Sequence, residues 1–437
     1  MRISDAFRGG VVRYTPARRD REARSPNGGP KQVKINIVMG GIGRDHGTAG
    51  HAIIFGYANG LLDRGHEVSI LPTVPAYTPR WFPLRAPIVQ PAAPSALSAA
   101  LRAAVRYGGF RLGRSDKNAA KEALNEITSR FAPWSAFPYR LANSIERLSL
   151  SIPPADITMA TASATALPTQ LFGTGTKVYL MQHYETYFVT ETDPRWQHVY
   201  EQQTELSYKL PLHRIANSSW LAEHVRERHG GEVELCVNAF EHHRFFPDGQ
   251  RAQSPLVVAS YSGRGAAWKG FADAAQAIRL IRERVGNVRW RVFGEDAELP
   301  PENPIAPYEP LGVIDSTGIR RLFSEAHIAL CPAWYESFPM YPMEAMACGC
   351  AVVTTGNGVE DYARDGENAL VVGARDPQAM ADAVVRLHEM QALRDRLVSQ
   401  AQSDIKDFTW DRSLDRMEEL LHRFGADSPP RAGGLSQ

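Results

Sequence analysis

Cysteine is scarce in this sequence of 437 residues, and the four that occur form no familiar pattern. Cys236 and Cys331 stand alone, while Cys348 and Cys350 lie too close together for a common disulfide framework or zinc site. No apolar run approaches the roughly 18 to 20 residues of a membrane-spanning helix, and residues 1–20 contain no apolar stretch of signal-peptide length. We therefore expect a cytoplasmic protein with reduced thiols, whose only membrane contact would be peripheral, at the inner face of the cell membrane.

An excess of charge of either sign is also lacking. The 49 basic and 48 acidic residues give a net charge of +1, which excludes the strongly basic surface typical of a nucleic-acid-binding protein. Hydrophobic residues make up 43% and charged residues 22%, as in an ordinary globular protein. A chain of this length is expected to form about two or three domains.

One segment departs from this balance of charge. Residues 101–148 carry nine basic and four acidic side chains, a local net charge of +5, and they alternate Ala or Leu with Arg. A solvated helix face explains this pattern. The alternative is an amphipathic patch that contacts anionic lipid.

Apolar strand-like runs alternate with helical patterns twice along the chain. Residues 33–39 form such a run, and a Gly-rich turn and a helical pattern over 51–64 lead to a second strand, which together make a βαβ unit. One further predicted strand begins at residue 256. The others cover residues 156–161, 177–182, 214–216, 288–293, 327–331, 351–355 and 369–372. This alternation favours an α/β fold with doubly wound parallel sheets.

The two series of strands predict two Rossmann-like domains, over residues 33–245 and 255–405. The polar stretch around residues 245–254, which neither alternates nor repeats, is the natural linker. A further helix is predicted over 408–424. Residues 1–32 and 426–437 lack periodicity and are expected to be disordered tails.

The most informative stretch is residues 331–355, CPAWYESFPMYPMEAMACGCAVVTT. Pro339 and Pro342 forbid a continuous helix across it, so we expect a helix to begin near Pro342, where proline is favoured. Glu336 then lies on the preceding loop and Glu344 in the first helical turn.

The start of that helix is suited to an anion. The backbone N–H groups of Met340, Tyr341 and Met343 point out of the helix N-terminus, where unpaired donors and the helix dipole attract a diphosphate. Pro339 cannot donate, which removes one such hydrogen bond. A pair of glutamates near a helix start in any α/β protein is the alternative interpretation.

This stretch resembles the retaining glycosyltransferases of family four, in which two glutamates eight positions apart are followed by Ala-Met-Ala-x-Gly. Glu336, Glu344 and Gly349 match that pattern in order, with Ala-Met-Ala directly after the second glutamate. The resemblance implies that Glu336 lies beside the donor sugar and that Glu344 accepts hydrogen bonds from the ribose hydroxyls. Pro339 and Ala351 depart from the family pattern, which has Gly and Pro there.

A second stretch, Ser260–Phe271 (SYSGRGAAWKGF), resembles the Gly-Arg-x4-Lys-Gly element of the same family. The resemblance implies that Arg264 and Lys269 bind the leaving diphosphate, whose negative charge grows during transfer and which two cations stabilise without a divalent metal. No Asp-x-Asp occurs in the chain, so we expect neither a metal nor a cofactor. Two surface cations on a βα loop are the alternative.

Three further elements complete the predicted donor site. The resemblance implies that Gly41 and Gly43, in the Gly-rich loop after the first strand, contact the donor. The pattern of this loop is not G-x-G-x-x-G, which argues against a dinucleotide dehydrogenase. Val313 ends a strand that meets the nucleotide base in the family. His183 stands where the family places a histidine close to the donor sugar, although a packed or surface histidine explains it as well. The aromatic residues nearby resemble those of rhamnan-type rhamnosyltransferases.

The resemblance extends over nearly all of residues 33–424 and implies the GT-B fold. It places the acceptor in the N-terminal domain and the nucleotide sugar in the C-terminal domain, and it has the last helix cross back to the N-terminal domain. The implied activity is retaining transfer of a sugar from a nucleotide diphosphate sugar to a glycan, lipid or small-molecule acceptor in cell-envelope polysaccharide or glycoconjugate synthesis. We expect no nucleic acid among its partners.

Other functions stay open at this point. A nucleotide-sugar epimerase or a sugar phosphorylase of the same architecture is one alternative, and a non-catalytic sugar-nucleotide-binding subunit is another. The set Arg264, Lys269, Glu336 and Glu344 disfavours the binding subunit, because such a protein has no need of groups aimed at a leaving group.

Overall fold

A computed structural model describes residues 32–45, 47–90, 145, 148–149, 152–191, 194–249, 251–263, 266–295 and 307–426. Two six-stranded parallel sheets organise these residues. The predicted basic segment 101–148 and both predicted tails fall almost wholly outside this part of the chain. Within it, no helix combines the length and the apolar character that crossing a bilayer requires.

The N-terminal sheet has the spatial order β2-β1-β3-β4-β5-β6. Helices lie in the described parts of the connections between its strands. The strands are β1 (Lys34–Met39), β2 (Glu67–Pro72), β3 (Ile157–Ala160), β4 (Thr176–Met181), β5 (His213–Ala216) and β6 (Glu234–Leu235), and the helices are α1 (Ala49–Asp63), α2 (Ser163–Phe172), α3 (Pro194–Lys209) and α4 (Ser219–His229).

The C-terminal sheet has the spatial order β12-β11-β10-β7-β8-β9. Its strands are β7 (Leu256–Tyr261), β8 (Val288–Phe293), β9 (Glu309–Gly312), β10 (Ile328–Cys331), β11 (Ala351–Thr355) and β12 (Leu370–Val372). The helices that follow β6 are α5 (Phe271–Val285), α6 (Ser316–Glu325), α7 (Met340–Ala347), α8 (Pro377–Glu389), α9 (Gln391–Asp404) and α10 (Trp410–Ala426).

Both faces of each sheet are covered, as all-parallel sheets require. In β7, Leu256 and Val258 pack into one apolar cluster while Val257 and Ala259 pack into another on the opposite face. The predicted doubly wound α/β class is therefore confirmed, and so are the strands of both series to within about two residues.

Two strands escaped the sequence pattern. The strand β6 has two residues, too few to show an alternation. The strand β9 contains Pro310, which argues against a strand, but β9 lies at the edge of its sheet, where a residue without an N–H group is tolerated.

The last helix, α10, begins beside the C-terminal domain and packs on the N-terminal one. Leu414, Met417 and Leu420 are buried in the same apolar cluster as Ile35 and Ile37 of β1. Polar contacts fix the same helix: the Tyr57 and Ser413 hydroxyls lie 2.6 Å apart, and Arg64 contacts Glu418 at 2.5 Å. The chain thus crosses between the domains a second time at residue 410.

The two crossings of the chain lie side by side. Phe240 and Phe245, which follow β6, pack into the C-terminal domain, and the Phe240 N–H donates to the Phe408 carbonyl at 2.9 Å. The Trp410 indole donates to Glu241 at 3.0 Å. These contacts tie the two connecting segments into one structure between the domains.

Replacing Leu420 by alanine is expected to lower the free energy of unfolding of the N-terminal domain by about 2–5 kcal/mol, because a fully buried leucine is lost and a cavity left. Glu419→Ala on the exposed face of the same helix is the control and should cost under about 1 kcal/mol. Urea unfolding followed by circular dichroism measures both. Equal losses for the two variants would contradict the packing assigned to α10.

Candidate active site

The candidate site lies at the carboxyl ends of β7 and β10 in the C-terminal sheet. The strand order reverses between these two strands, so the loops that follow them diverge and leave a crevice, the usual ligand position in an open parallel sheet. A cleft opens there, and Tyr261, Lys269, Glu336, Tyr341 and Thr355 are among its lining residues.

Glycine lets the two loops meet. Gly270 has a φ of +71°, and a Cβ atom there would lie 2.0 Å from the Pro332 carbonyl oxygen, so only glycine fits. The Trp334 N–H also donates to the Trp268 carbonyl at 2.7 Å. The Lys-Gly pair of the sequence motif is thereby brought against the loop that carries Glu336.

Lys269 and Glu336 form an ion pair at the mouth of the cleft. The Lys269 Nζ donates to Glu336 Oε1, and both side chains are largely shielded from solvent. The ammonium group also lies 4.0 Å from the centroid of the Trp268 ring. The residues predicted for the diphosphate and the sugar are therefore in direct contact.

The N-terminal domain contributes His183, which follows β4 and reaches across the cleft. Its Nε2 lies 3.7 Å from Glu336 Oε2. Neither ring nitrogen has a hydrogen-bond partner among the described residues, although both are buried. The imidazole therefore has hydrogen-bonding capacity left for a hydroxyl group of a bound molecule.

The charge state of Glu336 follows from these neighbours. Burial raises the pKa of this carboxyl, but the charge of Lys269 and the contact with His183 outweigh burial and hold the pKa below its ordinary value. Glu336 is therefore an anion throughout the neutral range, fixed at the place where the two domains face each other.

Glu344 differs from the sequence prediction in its position on the helix, and from Glu336 in its charge. The helix α7 begins at Met340 with Pro339 as its N-cap, so Pro342 is its third residue and Glu344 lies beyond the first turn. The predicted start near Pro342 is thus correct to within two residues, and proline is tolerated at this position because the N–H groups of a first turn have no helical partner. Glu344 is not among the residues that line the cleft.

Burial raises the pKa of Glu344 to about 8, and the charge of Arg244 offsets only part of that effect. Its Oε2 atom is buried without a hydrogen-bond partner in the described part of the chain. A carboxyl group in this setting is mostly protonated at neutral pH, in contrast to Glu336.

The other predicted residues that the structure describes do not join the ion pair. Tyr341 lines the cleft and packs on Tyr261, with ring centroids 4.6 Å apart. Met340 starts α7, and Val313 follows the edge strand β9. Further predicted positions are Gly41 and Gly43, which lie on the loop after β1 of the other domain, and Arg264, which lies outside the described residues.

Sequence reasoning missed an aromatic cluster at the domain interface. The Trp268 and Tyr335 rings stack at 5.2 Å, and Phe188 of the N-terminal domain packs on both Trp268 and His183. The Tyr335 hydroxyl donates to the Tyr187 carbonyl at 3.2 Å across the same interface. These rings come from three separate segments, so no local pattern could have grouped them.

One other cluster of ligand-type side chains occurs in the described residues, formed by His66, Glu418 and His422. His66 Nδ1 accepts from the Val33 N–H at 3.3 Å, so in the neutral ring Nε2 carries the proton that points to Glu418. Arg64 already neutralises Glu418. A protonated nitrogen and an adjacent guanidinium both disfavour a metal ion, and the cluster anchors α10 instead.

Comparison with known proteins connects this geometry to a family. Residues 257–390 match the family model described as Glycosyl transferases group 1. The O-antigen biosynthesis protein RfbC of Myxococcus xanthus is 28% identical over 316 residues, which cover 69% of this chain and 24% of that protein. The chain is thus similar to group 1 glycosyltransferases over this part of its sequence.

The chain is also similar to a D-inositol 3-phosphate glycosyltransferase of Corynebacterium jeikeium, 34% identical over 182 residues, or 41% of this chain and 37% of that protein. The matched region therefore spans only about a quarter to a third of the length of these curated relatives.

Solved structures of other proteins share the fold of this chain. A sucrose-phosphate synthase of Thermosynechococcus elongatus superposes with a TM-score of 0.63 at 13% identity, over 91% of this chain and all of the other. HepE of Anabaena superposes with a TM-score of 0.61 at 14% identity, over 90% of this chain and all of the other. The two-domain α/β architecture is that of the GT-B fold.

Glu344→Gln is expected to remove a pH dependence of stability. The folded protein keeps the Glu344 proton up to a pH of about 8, whereas the unfolded chain loses it near the ordinary pKa of 4.5. In that interval the folded state binds more protons, so the free energy of unfolding of the wild type falls as the pH rises. Glutamine does not titrate.

Urea unfolding at pH 5, 7 and 9 tests this sign. The stability of Glu344→Gln relative to the wild type should increase from pH 5 to pH 9. Glu389→Gln, at an exposed position on α8, controls for a general loss of charge. A Glu344→Gln difference that stays constant with pH would contradict the protonated state assigned to Glu344.

Proposed function

We propose that this chain transfers a sugar from a nucleotide diphosphate sugar to an acceptor, with retention of anomeric configuration. The observation that carries the proposal is the anionic Glu336, held by Lys269 of its own domain and reached by His183 of the other at the mouth of the cleft. A sugar bound there would meet the fixed carboxylate and the imidazole together.

The charges of the site suit the cleavage of a glycosyl diphosphate. Positive charge develops on the sugar as the bond breaks, and a preorganised carboxylate stabilises it. Negative charge develops on the diphosphate, for which Lys269 offers further N–H donors and the start of α7 offers unpaired backbone donors. With Glu336 already engaged by Lys269, we assign it to electrostatic stabilisation rather than covalent attack, and the diphosphate oxygen accepts the acceptor proton.

The relatives support the substrate class. HepE of Anabaena has been crystallised in complex with UDP-glucose, and RfbC of Myxococcus xanthus is named for O-antigen biosynthesis. We infer a nucleotide sugar as donor and a cell-envelope glycan or lipid-linked sugar as acceptor. The contact of segment 101–148 with anionic membrane, and with it a location at the inner face of the membrane, stays a prediction.

Glu336→Gln is expected to lower kcat by about a hundredfold to a thousandfold, because a preorganised charge facing the developing cation is lost. The donor is found first by screening hydrolysis of UDP-, GDP- and dTDP-sugars, and steady-state kinetics then give kcat and KM. A kcat close to that of the wild type would refute the role given to Glu336.

Glu344→Ala is the matched comparison within the same motif. The sequence resemblance assigns Glu344 to the ribose of the donor, whose binding is the same before and during transfer, so this variant should raise the donor KM and leave kcat nearly unchanged. An unchanged donor KM would remove Glu344 from the donor site. Circular dichroism of both variants confirms that the comparison is made on folded protein.

Transfer is expected to persist in EDTA, because two cationic side chains, Arg264 and Lys269, take the place of a divalent metal at the diphosphate. The rate with the screened donor is measured after dialysis against EDTA and again after addition of magnesium or manganese. Complete loss in EDTA, with recovery on adding metal, would contradict this mechanism.

A further inference from the structure

A single buried asparagine connects the two segments that carry His183 and Glu336. Asn217 follows β5, and β4 and β5 are parallel neighbours, so Asn217 lies beside the residues that follow β4. Its Nδ2 donates to the Gln182 carbonyl at 3.2 Å, one peptide before His183. Its Oδ1 accepts from the Ser337 hydroxyl, one residue after Glu336.

These two hydrogen bonds of Asn217, to Gln182 and from Ser337, form a bridge between the domains that is closed to solvent. Asn217 is 4% exposed and Ser337 is 1% exposed, although they lie on different domains. Ser218, which is also buried, places its hydroxyl 3.4 Å from that of Ser337. Because water cannot replace these contacts, loss of one partner leaves a buried polar group without a hydrogen bond.

Neighbouring contacts hold both ends of the bridge. The Ser219 N–H donates to Asp361 at 2.9 Å, again between the domains. Gly358 has a φ of +90° and approaches the Glu336 carbonyl so closely that a Cβ atom would lie 2.1 Å from it. The Glu336 peptide is thus fixed from its own domain by Gly358 and from the other domain by Asn217.

We propose that Asn217 is a positioning residue that sets His183 against Glu336 across the cleft. The amide is suited to this task because it donates to one segment and accepts from the other at the same time. Asn217 lies within residues 33–424, over which the sequence resemblance extends, and the resemblance gave it no role. The inference rests on the proposed function, since it concerns the geometry in which that site acts.

The test uses substitutions at both ends of the bridge. Asn217→Ala removes the side chain that the N-terminal domain contributes to the bridge, and Ser337→Ala removes the one that the C-terminal domain contributes. The double variant removes both side chains. Asn59→Ala is the matched control, because the Asn59 side chain also donates to a carbonyl, that of Pro83, and accepts from the Arg85 N–H, within the N-terminal domain alone. All four are compared by steady-state kinetics and thermal unfolding.

The expected result is a fall in kcat of about a hundredfold for Asn217→Ala, the scale of a misplaced catalytic group, with the donor KM changed less than about twofold. The donor KM should stay near the wild-type value because the residues that line the cleft come from the C-terminal domain. The double variant should be no slower than the slower single variant, since both substitutions break one bridge. Asn59→Ala should keep the wild-type kcat.

Two outcomes would overturn the positioning role while leaving the proposed function intact. One is an Asn217→Ala variant with the kcat of Asn59→Ala. The other is a double variant whose loss is the product of the two single losses, which would mean that the residues act separately.

A second readout separates this inference from the proposed function. If the wild-type chain transfers no sugar from the screened donors, the proposed function fails, and the bridge is judged by NMR of histidine-labelled protein. The His183 ring signal, assigned with His183→Gln, should move in Asn217→Ala and in Ser337→Ala and stay fixed in Asn59→Ala. A ring signal that Ser337→Ala leaves in place would overturn the bridge, because Ser337 lies on the opposite domain from His183.

Discussion

The burial of the Glu336 carboxylate between two domains is the constraint on which the rest of the site depends. A charge removed from water is costly unless cations or hydrogen-bond donors replace the solvent. Lys269 provides the cation from the loop after β7, and His183 approaches from the loop after β4. The contact with His183 therefore depends on how the two domains meet, because a gap between them would leave the carboxylate with Lys269 alone of these two partners.

The covalent path of the chain helps to maintain that arrangement. The chain passes between the domains near residue 240 and again near residue 410, and the two crossings bond to each other through the Phe240 and Phe408 backbones. The helix α10 then packs its apolar face on the N-terminal domain. Such paired connections restrict the domains to a limited set of relative positions, while the contacts of Asn217 and Tyr335 fix one of them.

Two glutamates of one motif show how much the surroundings decide. Glu336 and Glu344 have the same carboxyl group and stand eight residues apart, yet their pKa values move in opposite directions. Burial raises the pKa in both cases. The difference is that Glu336 touches Lys269 and His183, whereas Glu344 has only the weaker influence of Arg244. One sequence motif can therefore carry an anion and a neutral carboxyl at neutral pH.

The sequence alone determined the two series of strands and helices and the residues Lys269 and Glu336 as candidates, because periodicity and short motifs depend on neighbours along the chain. Tertiary structure decided that His183 meets Glu336, that Glu344 Oε2 is buried without a hydrogen-bond partner among the described residues, and that Asn217 spans both domains. Asn217 and Ser337 are 120 residues apart. Their contact depends on how two separately folded sheets pack, and no local pattern of residues records that.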